Sequence, residues 1–276
     1  RLASYPLADI VARARRAVAD GCREIWLTSE DTGAWGRDLG LAMPDLLWAV
    51  VREALPPDGC ARLRVGMTNP PYMLEHLPEI AAVLNDHRVY AFLHVPVQSG
   101  SDAVLRGMNR EYTRAEFCAV ADALLARVPG LTLATDIICG FPGESETDHR
   151  ETLSLIDEYR FPVLNIAQFY PRPGTPAARM PGRLPSQVVK RRSREVSAAF
   201  AAYRPHGHLV GTVQDAFVTE AAPDGRRLVA RTKGHVQLLL EADPARGVRL
   251  GARVEARVDE ADKFHVAGRV VRVLED

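Results

Sequence analysis

The first two hundred residues alternate between two kinds of apolar pattern, and this alternation restricts the possible folds. Short apolar runs typical of buried strands occupy residues 24–29, 62–67, 90–97, 131–139 and 163–169. Helical patterns lie at about residues 7–20, 44–54, 74–85, 114–127 and 146–159. Strands that alternate with helices form parallel sheets with right-handed crossovers. The sequence therefore predicts an α/β fold. Because the chain opens on a helix, we expect a partial (βα)6 barrel that lacks its first strand.

The pattern changes after residue 204. The proline-rich residues 171–185 end the last predicted strand, and a basic helix is predicted for about residues 186–203. Beyond the boundary at residues 205–207, short strand patterns without helices lie at residues 210–219, 228–232, 235–241, 253–259 and 266–273. This organisation predicts two domains, an α/β domain over residues 1–204 and a small OB-like β-barrel over residues 208–276.

The charge of the chain is balanced overall but not along its length. The 276 residues carry 35 basic and 35 acidic side chains, so the total does not identify a partner. Residues 181–276 hold 17 basic and 12 acidic residues, and the rest holds 18 and 23. A basic C-terminal third is compatible with a polyanionic partner and equally with ordinary solvated charge.

The four cysteines argue against a metal or disulfide framework. Cys22, Cys60, Cys118 and Cys139 are separated by 38, 58 and 21 residues, so no CxxC pair exists. Buried free thiols in an intracellular protein are the default expectation. No apolar run in the sequence is long enough to span a bilayer, and no signal peptide is recognisable. These features predict a cytoplasmic location.

Polar residues follow every predicted parallel strand. The clusters are Thr28–Gly33, Thr68–Pro71, Gln98–Ser99, Asp136 with Gly140–Glu144, and Gln168–Arg172. In a parallel barrel, the C-terminal strand ends meet at the ligand site. Each residue alone also fits a simpler role, such as Glu30 and Asp31 capping the next helix. The repetition at five strands favours one ligand site.

Three long motifs carry a family resemblance. Residues 94–112 (HVPVQSGSDAVLRGMNREY), 135–144 (TDIICGFPGE) and 168–178 (QFYPRPGTPAA) resemble the barrel signatures of the radical S-adenosylmethionine (SAM) methylthiotransferases. Residues 27–40 and 66–76 are similar to the archaeal and eukaryotic type that acts on N6-threonylcarbamoyladenosine in tRNA. The resemblance covers nearly the whole chain. It is weakest over residues 208–276, which resemble the RNA-binding TRAM domain of that family.

The resemblance implies a tRNA-modifying transferase. In that family a [4Fe–4S] cluster, held by a CxxxCxxC loop, reduces SAM to a 5′-deoxyadenosyl radical, which drives sulfur insertion at C2 of adenosine 37. A second SAM supplies the methyl group, and a second [4Fe–4S] cluster in an N-terminal domain handles the sulfur. The implied partners are the tRNA anticodon stem-loop, an electron donor and a sulfur donor that the sequence does not identify.

The resemblance also implies which residues contact SAM. A carboxylate can accept from the SAM ammonium, a guanidinium suits its carboxylate, and polar oxygens can bond the ribose hydroxyls. Glycines let the backbone border the adenine. The matching positions are Glu30, Asp31, Gln98, Ser99, Arg110, Asp136, Gly140, Gly143 and Tyr170.

A second group of residues is expected to face the tRNA. It comprises Arg37, Asn69, Arg191, Arg192, Arg226, Arg227 and Lys233. Phosphate contacts are expected to dominate over base stacking, because aromatic residues are sparse in the C-terminal region. A solvated helix face is an equally good interpretation of the charges at residues 190–194.

The sequence departs from the family pattern at its start. The CxxxCxxC loop and the three cysteines of the N-terminal domain are not found in the 276 residues. In the family that loop precedes the segment resembling residues 2–6, so the cluster cysteines are expected upstream of Arg1. We therefore expect no metal ligand and no catalytic residue within this chain, which alone should bind no cluster and be inactive. A eukaryotic source would allow a membrane anchor beyond Asp276.

Other functions are compatible with part of the pattern. One alternative is methylthiolation of isopentenyladenosine in tRNA or of a ribosomal-protein aspartate, which residues 29–33 (SEDTG) and 69–72 (NPPY) disfavour. A further alternative is a tRNA-binding module without catalysis.

Overall fold

The computed structural model describes residues 2–275, and its first part is built on parallel strands. These are β1 (Glu24–Leu27), β2 (Arg62–Val65), β3 (Phe92–His94), β4 (Thr132–Cys139) and β5 (Val163–Gln168). Strand β1 pairs with β2, and β3, β4 and β5 pair in that order, all in parallel. A bridge between Leu63 and Val89 joins the two groups. The strands therefore follow chain order, as the alternating pattern predicts.

Helices connect and cover these strands. They are α1 (Leu7–Ala19), α2 (Met43–Glu53), α3 (Leu77–Asn85), α4 (Asp102–Gly107), α5 (Arg114–Arg127), α6 (Glu146–Tyr159) and α7 (Ser186–Ala201). Thr113 with Glu116 forms a capping box at the start of α5, and Ser145 with Asp148 forms one at the start of α6. Each box satisfies amide groups that a helix start leaves unpaired, which fixes where the two helices begin. Within residues 2–275, no helix is long and apolar enough to cross a membrane.

The two faces of the parallel strands differ in chemistry because successive side chains of a strand point to opposite sides. One face, with residues such as Leu63, Leu93 and Leu133, is buried in the apolar core under the helices. The opposite face, here called the open face, is defined by Trp26, Arg64, Phe92, His94, Asp136 and Asn165. It carries charged, polar and aromatic groups, and it is the face on which a ligand can be held.

The C-terminal part is a closed five-stranded barrel. Its strands are β6 (Val213–Ala221), β7 (Arg227–Thr232), β8 (Gln237–Glu241), β9 (Arg253–Ala261) and β10 (His265–Glu275), in the order β10-β8-β7-β6-β9. Its interior is apolar, with Ala216, Leu238 and Val254 fully buried. The prediction of a small all-β barrel after residue 207 is confirmed.

The β-barrel packs against the amino-terminal end of β2. Arg62 is 2% exposed and forms an ion pair of 2.9 Å with Asp215 of β6. Asp215 also pairs with Arg253 at 2.7 Å, and the Arg62 guanidinium lies 4.9 Å from the Phe217 ring centre. Breaking a buried ion pair costs several kcal/mol because one charge is left uncompensated. These contacts therefore fix the β-barrel against the parallel strands.

Lys233 belongs to the same interface. Its ammonium group donates to the backbone carbonyls of Leu84, in the last turn of α3, and of Asp86 and Val89, which follow that helix. Burial lowers the pKa of Lys233 to about 8. The Lys233 ammonium group is therefore engaged within the protein, and its contact with tRNA stays a prediction.

Candidate functional site

Three polar side chains meet on the open face. His94 Nε2 lies 2.7 Å from Asp136 Oδ1, and Asn165 Nδ2 donates to the same oxygen at 2.8 Å. Burial raises the pKa of Asp136, but the hydrogen bonds from His94 and Asn165 outweigh it, so the pKa lies below its ordinary value. An ionised carboxylate only accepts hydrogen bonds, so His94 Nε2 carries a proton. Asp136 is thus a fixed negative charge with its second oxygen free for a ligand.

Arg110 supplies the opposite charge beside this cluster. Its Nε is buried and has no hydrogen-bond partner among residues 2–275. The charge of Arg110 also contributes to the lowered pKa of Asp136, which places the two groups in one electrostatic field. A buried donor without an acceptor is costly, so the arrangement suits an anionic ligand group. Arg110 follows α4, as its place in the motif requires.

Tyr112 is buried close enough to Arg110 to feel its charge. Its hydroxyl donates to the carbonyl of Pro96 at 3.0 Å. Burial raises the pKa of Tyr112 to about 12, although the nearby charge of Arg110 opposes the rise. The phenol therefore stays protonated and anchors the segment that carries Arg110 to the segment after β3.

Asp31 and Asn69 meet at the neighbouring strand ends. Asn69 Nδ2 donates to Asp31 Oδ2 at 2.6 Å, and Asp31 Oδ1 accepts from the Gly33 amide at 3.0 Å. Asp31 also caps the short 3-10 turn that follows β1. Arg37 is exposed on the same side, with its guanidinium 4.9 Å from the Tyr72 ring centre. The two segments that resemble the tRNA-specific type are therefore in contact.

Gln98 adopts a backbone conformation that is uncommon for residues other than glycine. Its φ is 68°, in the left-handed region, although it is not glycine. Its amide donates to the Asp136 carbonyl at 2.8 Å, and its carbonyl accepts from the Ile138 amide at 2.9 Å. Strain of this kind persists where surrounding contacts impose it, and it clusters at functional sites. Gln98 lies at the strand end, as predicted.

Ser99 lies within the fold. It is fully buried, its Oγ lies 3.3 Å from Thr152 Oγ1, and it accepts from the Ser101 amide. These contacts hold the segment after β3 against α6. The Ser99 side chain is thus engaged within the fold, and its contact with SAM stays a prediction.

Contacts with α7 hold the turn after β4 in place. The Gly140 amide donates to Glu144 Oε2 at 2.9 Å, and Glu144 pairs with Arg192 at 2.7 Å. Both partners of this ion pair are almost fully buried. Gly140 has a φ of 80°, and a Cβ there would lie 2.6 Å from Val189. Both features require glycine at this position.

Arg192 is therefore not an exposed cation, and its contact with tRNA stays a prediction. It is 4% exposed and donates to Glu144 and Glu146. Its neighbour Arg191 is more accessible, but it pairs with Glu146 at 2.8 Å and with Glu195 at 2.9 Å. Within the basic stretch of α7, Arg192 thus holds the turn after β4, and Arg191 links α7 to α6.

The remaining predicted residues lie at the surface. Glu30 and Arg226 are exposed, and Tyr170 is 72% exposed. The Gly143 amide donates to the Gly182 carbonyl at 2.9 Å. Arg227 pairs with Asp224 at 2.6 Å. The structure brings Asp31 together with Asn69, and Arg110 together with Asp136, whereas Glu30 and Tyr170 stay apart from both clusters.

Sequence reasoning missed His94 and Asn165 as members of the site. Both lie inside apolar runs that were interpreted as buried strands, so neither was recognised as a polar residue of the site. The available signal was the two-residue period of a strand, which places Asn165 on the same face as Asp136 once the register of β4 and β5 is known. That register has no local sequence signature.

The cysteines do not form a metal site. Among residues 2–275, no group of three or more histidine, cysteine, aspartate or glutamate side chains is arranged to hold a metal ion. Cys22 is exposed, and Cys139 is buried in the core, where burial raises its pKa to about 12. A cluster needs several thiolates at one place. The described residues therefore do not fit an iron–sulfur cluster.

Comparison with known proteins identifies the superfamily of the chain. A family model described as the radical SAM superfamily matches residues 1–156. The chain belongs to this superfamily.

Its relatives point to one type of enzyme. The chain is 53% identical over 270 residues to a threonylcarbamoyladenosine tRNA methylthiotransferase of Drosophila melanogaster, covering 98% of this chain and 48% of that protein. It is 43% identical over 193 residues to a probable threonylcarbamoyladenosine tRNA methylthiotransferase of Pyrococcus horikoshii, covering 70% of this chain and 44% of that protein. The chain thus spans about half the length of the curated relatives it matches.

A solved structure supports the fold alone. Coproporphyrinogen III oxidase from Escherichia coli, a radical SAM enzyme, superposes with a TM-score of 0.53 at 14% identity, over 91% of this chain and 60% of that one. An α/β radical SAM fold is therefore present.

Proposed function

We propose that this chain is the SAM- and tRNA-binding part of a methylthiotransferase that acts on N6-threonylcarbamoyladenosine 37 in tRNA. The observation that carries the proposal is the 53% identity to a protein of that name over 98% of the chain. The paired Asp31 and Asn69 support it, because they belong to the two segments that resemble this tRNA-specific type.

The open face and the strand ends hold SAM in this proposal. Arg110 binds the SAM carboxylate, since its buried Nε otherwise has no acceptor. Asp31 accepts from the ammonium group, and the free oxygen of Asp136 accepts from a ribose hydroxyl. Gln98 and Ser99 bond the carboxylate or the ribose hydroxyls. Gly140, Gly143 and Tyr170 border the adenine, and Glu30 lies beside the ammonium group. Bound SAM supplies the radical and the methyl group, and His94 keeps Asp136 ionised and oriented.

The iron–sulfur clusters, two in the complete enzyme, are proposed to be held by residues outside this chain. The described cysteines do not converge, and the pKa of Cys139 is raised to about 12 by burial. The chain alone is accordingly proposed to be inactive. The electron donor and the sulfur donor are also separate molecules.

The tRNA is proposed to contact both domains, residues 1–204 and 208–276. In this view the parallel strands are part of a (βα)6 partial barrel in a cytoplasmic enzyme, and the closed β-barrel is TRAM-like. Arg226 and Arg227 then contact phosphates, and Arg37 and Asn69 face the base. Arg191 is a weaker candidate because of its two ion pairs. Such contacts weaken with rising salt concentration.

The proposal is tested in the source cells by disrupting the gene that encodes this chain. Mass spectrometry of nucleosides from total tRNA is expected to find the 2-methylthio derivative lost and N6-threonylcarbamoyladenosine increased by the same amount. An unchanged level of the methylthio derivative would contradict the proposal. Loss of methylthio-isopentenyladenosine instead would identify the alternative tRNA substrate.

A further inference from the structure

Arg64 occupies an unusual position on the open face. Its guanidinium carbon lies 4.3 Å from the Trp26 ring centre and 4.5 Å from the Phe92 ring centre. These residues come from β1 and β3, the strands on either side of β2. Stacking between two rings fixes the plane of the guanidinium and leaves its N–H groups directed outward in that plane.

Those N–H groups have no acceptor among residues 2–275. Arg64 Nε is buried without a hydrogen-bond partner, and no hydrogen bond or ion pair of this side chain is found within residues 2–275. Arg62, two residues earlier on the same face, has the opposite arrangement: it pairs with Asp215 and donates to the His87 carbonyl. An arginine that only supports the fold is expected to look like Arg62.

The surroundings of Arg64 favour an anion. Burial lowers the pKa of Arg64, and the positive charge of Arg231 adds to this effect. Glu24 is the nearby compensating carboxylate, but it accepts from the Tyr90 hydroxyl at 2.6 Å and is not within ion-pair distance of Arg64. Burial lowers the pKa of His235 to about 3, so this neighbour is neutral and supplies no further charge.

Arg64 lines a cavity between the parallel strands and the β-barrel. Its volume is about 380 Å³, and Phe92, Asn165 and His235 are among its other lining residues. This volume is in the range of small-molecule sites. Asn165, which lines this cavity, also donates to Asp136 at 2.8 Å, so one lining side chain contacts the His94–Asp136 pair.

We propose that Arg64 binds the carboxylate of the threonylcarbamoyl substituent and so selects the modified base. This inference rests on the function proposed above. In adenine, C2 and N6 flank N1 on one edge, so a site that receives C2 must also receive the substituent on N6. The substituent ends in a threonine carboxylate, which a guanidinium binds through two parallel hydrogen bonds. Unmodified adenosine and isopentenyladenosine have no such group.

The test uses the whole chain and two anticodon stem-loop RNAs that differ only at position 37, one with N6-threonylcarbamoyladenosine and one with adenosine. Fluorescence anisotropy is expected to give at least tenfold tighter binding of the modified RNA. Arg64→Gln is expected to bind both RNAs with the affinity that the original chain has for the unmodified one. Arg64→Lys should keep part of the preference, because it retains the charge but not the paired donors.

Arg13→Gln is the matched control, since it removes an exposed arginine from α1. It should keep the full preference. If Arg64→Gln also keeps the preference, or if the original chain has none, the inference is wrong while the proposed function stands. If the original chain binds neither RNA, the proposed function itself is contradicted.

A second measurement needs no variant and so does not depend on how Arg64→Gln folds. The free nucleoside N6-threonylcarbamoyladenosine and its carboxyl methyl ester compete with the labelled modified RNA. The ester removes only the negative charge, and it is expected to compete at least tenfold less well. Equal competition by acid and ester would overturn the role of Arg64.

Discussion

His94 Nε2 and Asp136 Oδ1 lie 2.7 Å apart, and this contact links adjacent strands at the centre of the open face. Because Asn165 donates to the same oxygen, Asp136 is held from two sides and its second oxygen is free. A carboxylate fixed in this way needs no rearrangement to accept a ligand hydroxyl, which is the basis of preorganised binding sites.

The first prediction concerns Arg110. Arg110→Gln should weaken SAM binding by about tenfold or more, because a charge-assisted hydrogen bond is worth roughly 1.5–3 kcal/mol. Equilibrium dialysis with labelled SAM measures the dissociation constant. Arg106→Gln, an exposed position on α4, is the control and should bind as the original chain does. Equal affinities for the two variants would remove Arg110 from the site.

The second prediction concerns the interface between the β-barrel and β2. Arg62→Met should lower the free energy of unfolding by about 2 kcal/mol, because the interface loses a buried ion pair while Asp215 keeps its pair with Arg253. Arg269→Met removes an exposed pair with Asp259 and should cost less than about 1 kcal/mol. Urea unfolding followed by circular dichroism measures both. A cost for Arg62→Met as small as that for Arg269→Met would contradict the assigned role.

The third prediction is a pH dependence at the same interface. Burial raises the pKa of Asp215, but the hydrogen bond from Arg253 and the charge of Arg62 outweigh it, so the folded pKa is below the unfolded one. The stabilisation is therefore complete above the ordinary aspartate pKa of about 4 and is lost as the pH falls through the folded value.

Asp215→Asn provides the measurement. The difference in unfolding free energy between the original chain and this variant should be largest near pH 7 and should shrink below about pH 4. Urea unfolding at a series of pH values gives this difference directly. A difference that stays constant down to pH 3 would show that the carboxylate charge is not what stabilises the interface.

The fourth prediction compares two glycines with positive φ. Gly130 has a φ of 71° and open space around it, whereas Gly140 has a φ of 80° and Val189 close to where a Cβ would lie. Gly130→Ala should cost about 1 kcal/mol from backbone strain, and Gly140→Ala about 2 kcal/mol more from the clash. Thermal unfolding measures both. Val189→Ala combined with Gly140→Ala should recover part of the extra loss; an absence of recovery would argue against the contact with Val189.

Features with a local sequence signature were predictable. The bounds of α5 and α6 agree with the prediction because each helix begins at a capping box. Strands β4 and β5 agree to within a residue, since apolar runs and flanking polar residues mark their ends. The closed β-barrel was recognisable from regularly spaced short strands. Pairings between distant residues had no such signature, as for Arg62 with Asp215 or Glu144 with Arg192.

The candidate site was predictable in part for the same reason. Three of the site residues lie at or just after the C-terminal ends of neighbouring strands: Asp31, Asn69 and Asp136. Strand order alone therefore predicts that they lie on the same side of the sheet. The position of the Arg64 guanidinium, without a hydrogen-bond acceptor, depends on which aromatic side chains the neighbouring strands place beside it. The burial of Ser99 depends on the approach of α6. Neither could be read from sequence spacing.

The central claim is that the site around Asp136 serves methylthiolation of N6-threonylcarbamoyladenosine. Its most direct test is complementation of the gene disruption with the complete gene, followed by nucleoside mass spectrometry of total tRNA. The gene carrying Asp136→Ala should leave the methylthio derivative below about a tenth of the level restored by the unaltered gene, since the ligand loses a charged hydrogen-bond acceptor. Asp157→Ala, at an exposed position on α6, should restore it fully. Full restoration by Asp136→Ala, at equal protein level, would contradict the claim.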